Sequence, residues 1–216
     1  MFGNKIKYAL IASSLVFGAH ANAGGAYVPS VKSMAPVYET ESELDGSPVE
    51  LASVRGSWSK IERKSDKLCI TTKANNLPEG AFTTWWIIFN EPDNCFGGDT
   101  IDGASCTLGD VGNPAADTSA LSTAPALVGP RGVGIFDSCL EYGEIPSTNL
   151  FGGGVKNSHA EVHILIKWHG KAAFDDYNML GNQLTKIDGG CDAFIDTDFQ
   201  GRSHCPDLRM IVHPQL

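Results

Sequence analysis

The chain has 216 residues, 42% of them hydrophobic, and carries 25 Asp and Glu against 16 Lys and Arg for a net charge of −9. That length is enough for one domain with a substantial core. The acidic balance disfavours nucleic acid and anionic membrane surfaces as partners, since both need clustered Lys and Arg, and leaves small molecules, cations, glycans and proteins.

Lys5 and Lys7 precede an apolar run from Tyr8 to Ala19, and Ala21-Asn22-Ala23 has the small-x-small pattern of a secretory cleavage site. The run is shorter than the roughly 20 residues that span a bilayer. Residues 1–23 are therefore expected to be a signal peptide cleaved after Ala23, and the mature chain to be soluble, without membrane insertion, in the periplasm or secreted. Residues 24–47 form a polar lead-in with Pro29, Pro36 and an acidic run from Glu39 to Asp45. Residues 48–216 are expected to fold as a single domain.

All six cysteines lie beyond the leader. An even number in an exported chain argues for disulfides. The expected pairing is Cys95–Cys106 and Cys191–Cys205, each stapling a Gly/Asp-rich loop, with Cys69–Cys139 joining two strands. No C-x-x-C is present, so neither a thioredoxin-like redox pair nor a Cys-rich zinc site has support.

Strand-like runs begin at Pro48 to Val54. Trp58 to Arg63 and Leu68 to Lys73 follow, and the turn Lys64-Ser65-Asp66 makes this pair a hairpin. Asn75 to Gly80 is a dense turn signal that launches Ala81 to Asn90. Phe82, Trp86 and Ile88 lie on one face of that run, with Trp85, Ile87 and Phe89 on the other, which predicts a central strand covered on both sides. Glu91 to Asp117 reads as a long loop pinned by Cys95 and Cys106. Leu121 to Val128 and Val133 to Glu141 read as a second hairpin across Gly129-Pro130-Arg131-Gly132.

His159 to His169 alternates cleanly. Ala160, Val162, Ile164, Ile166 and Trp168 share one face, while His159, Glu161, His163, Lys167 and His169 share the other. Phe174 to Lys186 is the only helical candidate, with Tyr177, Leu180 and Leu184 at helical spacing. A second acidic loop leads to Cys205, and Leu208 to His213 is the last strand. The pattern predicts an all-β fold, an antiparallel β-sandwich of immunoglobulin-like type or a related barrel, with long stapled loops and at most one short helix.

Chemistry concentrates on the polar face of 159–169. Glu161 and His163 are two residues apart, about 7 Å at Cα, and can converge on one Zn or Cu ion. His159 and His163 are about 13 Å apart on a strand and cannot chelate one ion together. The candidate metal set is Glu161, His163 and His213, with His159 or His204 as alternates. Ca²⁺ is the weaker expectation, because the loop aspartates match no EF-hand spacing. No catalytic residue is nominated: G-x-S-x-G and P-loop motifs are absent, and Ser57-Trp58-Ser59-Lys60 matches S-x-x-K without its partner motifs. The leading expectation is a non-catalytic ligand- or partner-binding domain. The alternatives are a metal-binding protein or metal-dependent enzyme, and a glycan-binding module presenting Trp58 or one of Trp85 and Trp86.

Three segments carry a resemblance: Leu77-Pro78-Glu79-Gly80 leading through Thr84 to Pro92 with Cys95; Ala160-Glu161-Val162-His163 with Trp168-His169-Gly170; and Cys205-Pro206-Asp207 with Ile211-Val212-His213. Together they resemble a group of uncharacterised exported bacterial proteins, from which no activity transfers. A fainter likeness runs to CHRD-type domains, secreted β-sandwiches with a His-x-His strand, and implies a CHRD-like sandwich. The chain departs from that pattern with Glu161-Val162-His163 in place of His-x-His.

Overall fold

Alternating apolar and polar side chains build two antiparallel sheets packed face to face. The computed structural model describes residues 30–40, 52–97, 101–187, 189–191 and 205–216. Residues 1–23, expected to be a signal peptide, parts of the lead-in, His204 and most of the second stapled loop lie outside them. The smaller sheet runs β1 (Val31–Ala35), β3 (Trp58–Arg63), β4 (Lys67–Ala74) and β7 (Gly134–Glu141), in that order. The larger runs β2 (Tyr38–Glu39), β10 (Asp207–His213), β9 (Glu161–Trp168), β5 (Gly80–Phe89), β6 (Thr118–Val128) and β8 (Asn149–Phe151).

On β4, Leu68, Ile70, Thr72 and Ala74 are buried and alternate with half-buried neighbours. Such a strand has one face in a core and one turned outward. Ile61, Leu68 and Ile70 from the smaller sheet meet Phe82, Trp86 and Ile164 from the larger one in a single core. β5 is different, because all ten of its residues are buried. Its inner face joins that core, and its outer face puts Ile87 and Phe89 under Cys106 and Ala116 of the Glu91–Asp117 segment. This is the two-sided burial that its uninterrupted apolar sequence calls for. The segment above it is organised by three short 3-10 turns, Pro92–Asn94, Leu108–Gly112 and Pro114–Ala116.

The disulfides are Cys69–Cys139, Cys95–Cys106 and Cys191–Cys205. Cys69 and Cys139 sit directly opposite each other on β4 and β7. The β3–β4 hairpin forms across Lys64-Ser65-Asp66 as its sequence implies.

Elsewhere the chain departs from its sequence signals. β6 and β7 do not pair: β6 lies beside β5 and β7 beside β4, so the turn at 129–132 carries the chain from one sheet to the other. The lead-in contributes β1 to one sheet and β2 to the other. Of the run at 48–54, the described residues make only a single bridge, Ser53 with Tyr38. The helix, α1 (Tyr177–Thr185), starts later than expected, at an Asp176 N-cap whose carboxylate accepts from the amides of Asn178 and Met179. Its buried anchor is polar Gln183, while Tyr177 stands 85% exposed. Among the described residues no helix is long and apolar enough to cross a membrane.

Candidate functional site

β9 lies between β10 and β5, and its polar face is covered rather than wet: Glu161, His163, Lys167 and His169 are all buried. Glu161, Lys167 and His169 each hold a covering segment, and His163 backs Glu161. Glu161 fixes the first stapled loop by accepting from the backbone amides of Ser105 at 2.7 Å and Cys106 at 3.0 Å. Its remaining lone pairs receive His163 Nε2 at 2.8 Å. The partner is an acceptor-only carboxylate, so Nε2 must carry the proton. The imidazole also meets the ring of Phe89 edge-on, with centroids 5.0 Å apart.

Asp110 holds the same loop from within. Burial alone would raise its pKa, but the amides of Phe96 and Thr107 and the Thr107 hydroxyl point at the carboxylate and hold it below the usual range. Asp102 accepts from the Tyr38 hydroxyl, and burial together with that carboxylate pushes the phenol up to about 12. Asp110 thus organises the loop, and Asp102 ties it to β2.

His213 does not join Glu161 and His163. It lies opposite Val162, which belongs to the inter-sheet core, whereas His163 lies opposite Ile87 of the outer cluster. Directly opposed residues of an antiparallel pair share a face. The two histidines therefore sit on opposite sides of the larger sheet and cannot bond one ion. His159 stands exposed on the turn before β9, and His204 lies outside the described residues.

Within the sandwich, His213 Nε2 is 2.8 Å from Ser59 Oγ, which is 2.7 Å from Thr72 Oγ1. Hydroxyl and imidazole at this distance are the elements of a nucleophile–base pair. Both are sealed in the core, Ser59 at 0% and His213 at 1% exposure, so no substrate reaches them. Burial, then the nearby charge of Arg63 and then His163, push the His213 pKa down to about 3. The ring is thus neutral.

At the other end of β9 the polar hub is His169. Trp85 Nε1 donates to Thr83 Oγ1 at 3.0 Å, and that hydroxyl lies 2.7 Å from His169 Nε2. His169 Nδ1 faces the carbonyl of Gly189 at 2.8 Å, and a carbonyl only accepts. Nδ1 therefore carries the proton, and Nε2 accepts from Thr83. Gln183 of α1 clamps the same region by donating to the carbonyls of His169 and Lys171, both at 2.9 Å. Its Oε1 accepts from the Ala173 amide. Lys167 reaches the Cys205 carbonyl at 2.9 Å and the Asp207 carboxylate at 2.8 Å.

His169, Cys191 and Cys205 place three potential ligand atoms within 4.8 Å of one another, so the trio could hold a metal ion. In this structure the two sulfurs are bonded to each other, and the nearby nitrogen, 3.1 Å from Cys205 Sγ, is the protonated one. An ion would need both arrangements undone.

Above this hub the surface opens. A cleft of about 540 Å³ is lined by Pro78, Glu79, Trp168, His169, Lys171 and Gln183, among others. A second, of about 480 Å³, is lined by Glu79, Gly80, Leu127, Lys171, Ala172 and Phe174, among others. Both lie in the size range of small-molecule sites. They share Glu79 and Lys171, which are exposed and make no ion pair with each other. Gly80 lets the strand ends close beneath them: its φ is +153°, and a Cβ there would collide with the carbonyl oxygen of Gly170. That carbonyl accepts from the Ala81 amide at 3.0 Å.

The tryptophans sort differently from the sequence expectation. Trp85 and Trp86 are 5% and 2% exposed and make no platform, and Trp58 is half-buried on the outward face of β3. The ring beside a cleft is Trp168, packed against the main core and lining the 540 Å³ cleft. Its place on the apolar face of β9 hid this role. The signal was the Trp168-His169-Gly170-Lys171 run, where the strand ends and leaves the ring at the end of the sheet.

No family model, curated protein or solved structure matches this chain.

Proposed function

We propose that this protein is a non-catalytic binding module whose ligand occupies the two adjoining clefts at the β9–α1 end. The observation that carries this reading is the shared wall: Glu79 and Lys171 border both clefts and neither neutralises the other. Exposed Phe174 and Leu127, at 66% and 49%, add apolar area to the same mouth. Convergent polar groups in a largely apolar concavity are what a ligand site requires. Both close hydroxyl–imidazole pairs, Ser59 with His213 and Thr83 with His169, are buried, which favours binding over turnover.

A ligand-observed NMR screen of a mixed library of amino acids, short peptides and oligosaccharides tests the proposal, with amide shifts of the protein used to map each hit. Hits are expected to move Gly80, Gly170, Lys171 and the Trp168 indole. Hits that map only elsewhere, or none at all, would overturn it.

A second reading, a Zn or Cu site, is supported by the ligand spacing of His169, Cys191 and Cys205. Thiolate and imidazole suit both metals. It requires a reduced disulfide. Elemental analysis of thiol-reduced protein supplied with Zn²⁺ should then show one ion per chain, lost in Cys191→Ser. Absence of metal from the reduced protein ends this reading.

A further inference from the structure

We infer that the ligand is a short neutral saccharide lying across both clefts, with one sugar ring against Trp168 and the next over Leu127 and Phe174. The inference rests on the binding-module reading above and narrows it to one chemical class.

Three observations favour a saccharide. First, the cleft holds a half-buried aromatic ring. Trp168 packs on the core and also lines the cleft, so its position is set before any ligand arrives. The negative π-face of an indole attracts the C–H groups on one face of a pyranose, and a pre-positioned ring loses little entropy on binding. Second, the shared wall offers both kinds of hydrogen bond. The Glu79 carboxylate only accepts and the Lys171 ammonium only donates, whereas a sugar hydroxyl does both. A wholly apolar ligand would strip water from these two charges and return nothing, which is costly. A pyranose presents an apolar face and a polar edge in one rigid unit, matching an aromatic floor with a charged rim.

Third, the charges favour a ligand without net charge. Glu79 and Lys171 put one charge of each sign on the shared wall, and the chain as a whole carries −9. A strongly anionic polymer would be repelled by that field, and a ligand of either sign would meet one like charge on the wall. Phe174 stands 66% exposed at the second cleft, and a second sugar ring would cover it. Two clefts side by side across one polar wall suit a ligand of two or three units.

The test is isothermal titration of the full mature chain with a panel of neutral trisaccharides built on glucose, galactose and N-acetylglucosamine, followed in parallel by tryptophan fluorescence. At least one trisaccharide is expected to bind, and its monosaccharide to bind at least tenfold more weakly. Trp168→Leu keeps an apolar side chain against the core and should weaken the trisaccharide by roughly tenfold, the scale of an aromatic contact of ~1.4 kcal/mol. Phe174→Ala changes an exposed position and should weaken the trisaccharide while leaving the monosaccharide unchanged. Folding of both variants is checked by melting temperature. If no saccharide binds but amino acids or peptides shift the same cleft residues, the saccharide inference falls and the binding-module reading stands. If nothing binds at the clefts, both fall. Saccharide binding that survives both substitutions places the sugar elsewhere and overturns this inference.

Discussion

The two ends of β9 solve the same problem with opposite outcomes. Each bears buried polar side chains that fasten a covering segment: the first disulfide-stapled loop at one end, and α1 with the residues at Gly189 and Cys205 at the other. At the first end, Glu161 takes two backbone amides and an imidazole, Phe89 packs on that imidazole, and Cys106 and Ala116 complete the cover. At the second end, His169 holds the Gly189 carbonyl and Gln183 the carbonyls of His169 and Lys171, and the surface above them stays concave. A carboxylate offers several lone pairs and draws its cover tight. An imidazole has one donor and one acceptor, and its cover leaves clefts. Buried polarity is thus no guide to function in this molecule; incomplete covering is the better one.

Breaking the first end should cost most. Glu161→Ala leaves the amides of Ser105 and Cys106 and the Nε2–H of His163 buried without their acceptor. Removing one partner of a buried ionic or charge-assisted set costs about 3–5 kcal/mol. Chemical denaturation should show that loss, and amide exchange at Ser105 and Cys106 should accelerate selectively. A loss under 1 kcal/mol would show that the loop is held by its disulfide alone, and the contrast between the ends would disappear.

How much of this could be read from the chain depends on which force acts locally. The alternation of β3, β4 and β9 and the uninterrupted apolar run of β5 were legible because the side-chain period of two fixes which residues share a face. The disulfide-stapled loops were legible because cysteines eleven and fourteen residues apart bracket Gly/Asp-rich segments. The β6–β7 connection was not, since Gly129-Pro130-Arg131-Gly132 turns a chain equally well within a sheet or between sheets. The face of His213 was misplaced for a related reason: register between β9 and β10 sets it, and register is a tertiary property. Tyr177, at helical spacing with Leu180 and Leu184, reads as a packing residue, yet α1 is anchored by Gln183 through hydrogen bonds that no hydrophobic period reports. The clefts were invisible because Glu79 comes from the β4–β5 turn and Lys171 and Phe174 from the β9–α1 connection, which only the close approach at Gly80 and Gly170 brings together.

The interior behind the first end supplies a smaller effect, with a sign fixed by His213. Its folded pKa of about 3 lies below the ordinary value of 6.5, so the unfolded chain takes up a proton that the folded one refuses. Stability is complete above pH 6.5 and falls as the pH drops toward 3, by up to ~1.4 kcal/mol per unit within that window. Between pH 6 and pH 4 the expected loss is about 2 kcal/mol. Asp110, with its carboxyl held low, adds an acid loss of its own. The difference between wild type and His213→Gln isolates the histidine. Parallel stability–pH curves for the two proteins would mean that His213 is solvated, and that the core at this end is open.

The smallest expected effect bears most directly on the open end. Glu79 and Lys171 are exposed, lie on the wall between the clefts and make no ion pair with each other. Substitutions at such surface sites typically change stability by less than about 0.5 kcal/mol. Glu79→Ala and Lys171→Ala should therefore melt with the wild type, while each weakens whatever ligand the clefts accept. The pairing of those two results is what separates a binding rim from a structural one. A side chain that holds the fold shows itself in the melt, as Glu161 should; a side chain kept in place for a ligand shows itself only when the ligand is present. Should Lys171→Ala destabilise the protein by more than 1 kcal/mol, the cation would belong to the fastening of α1 and the second end would be a looser copy of the first.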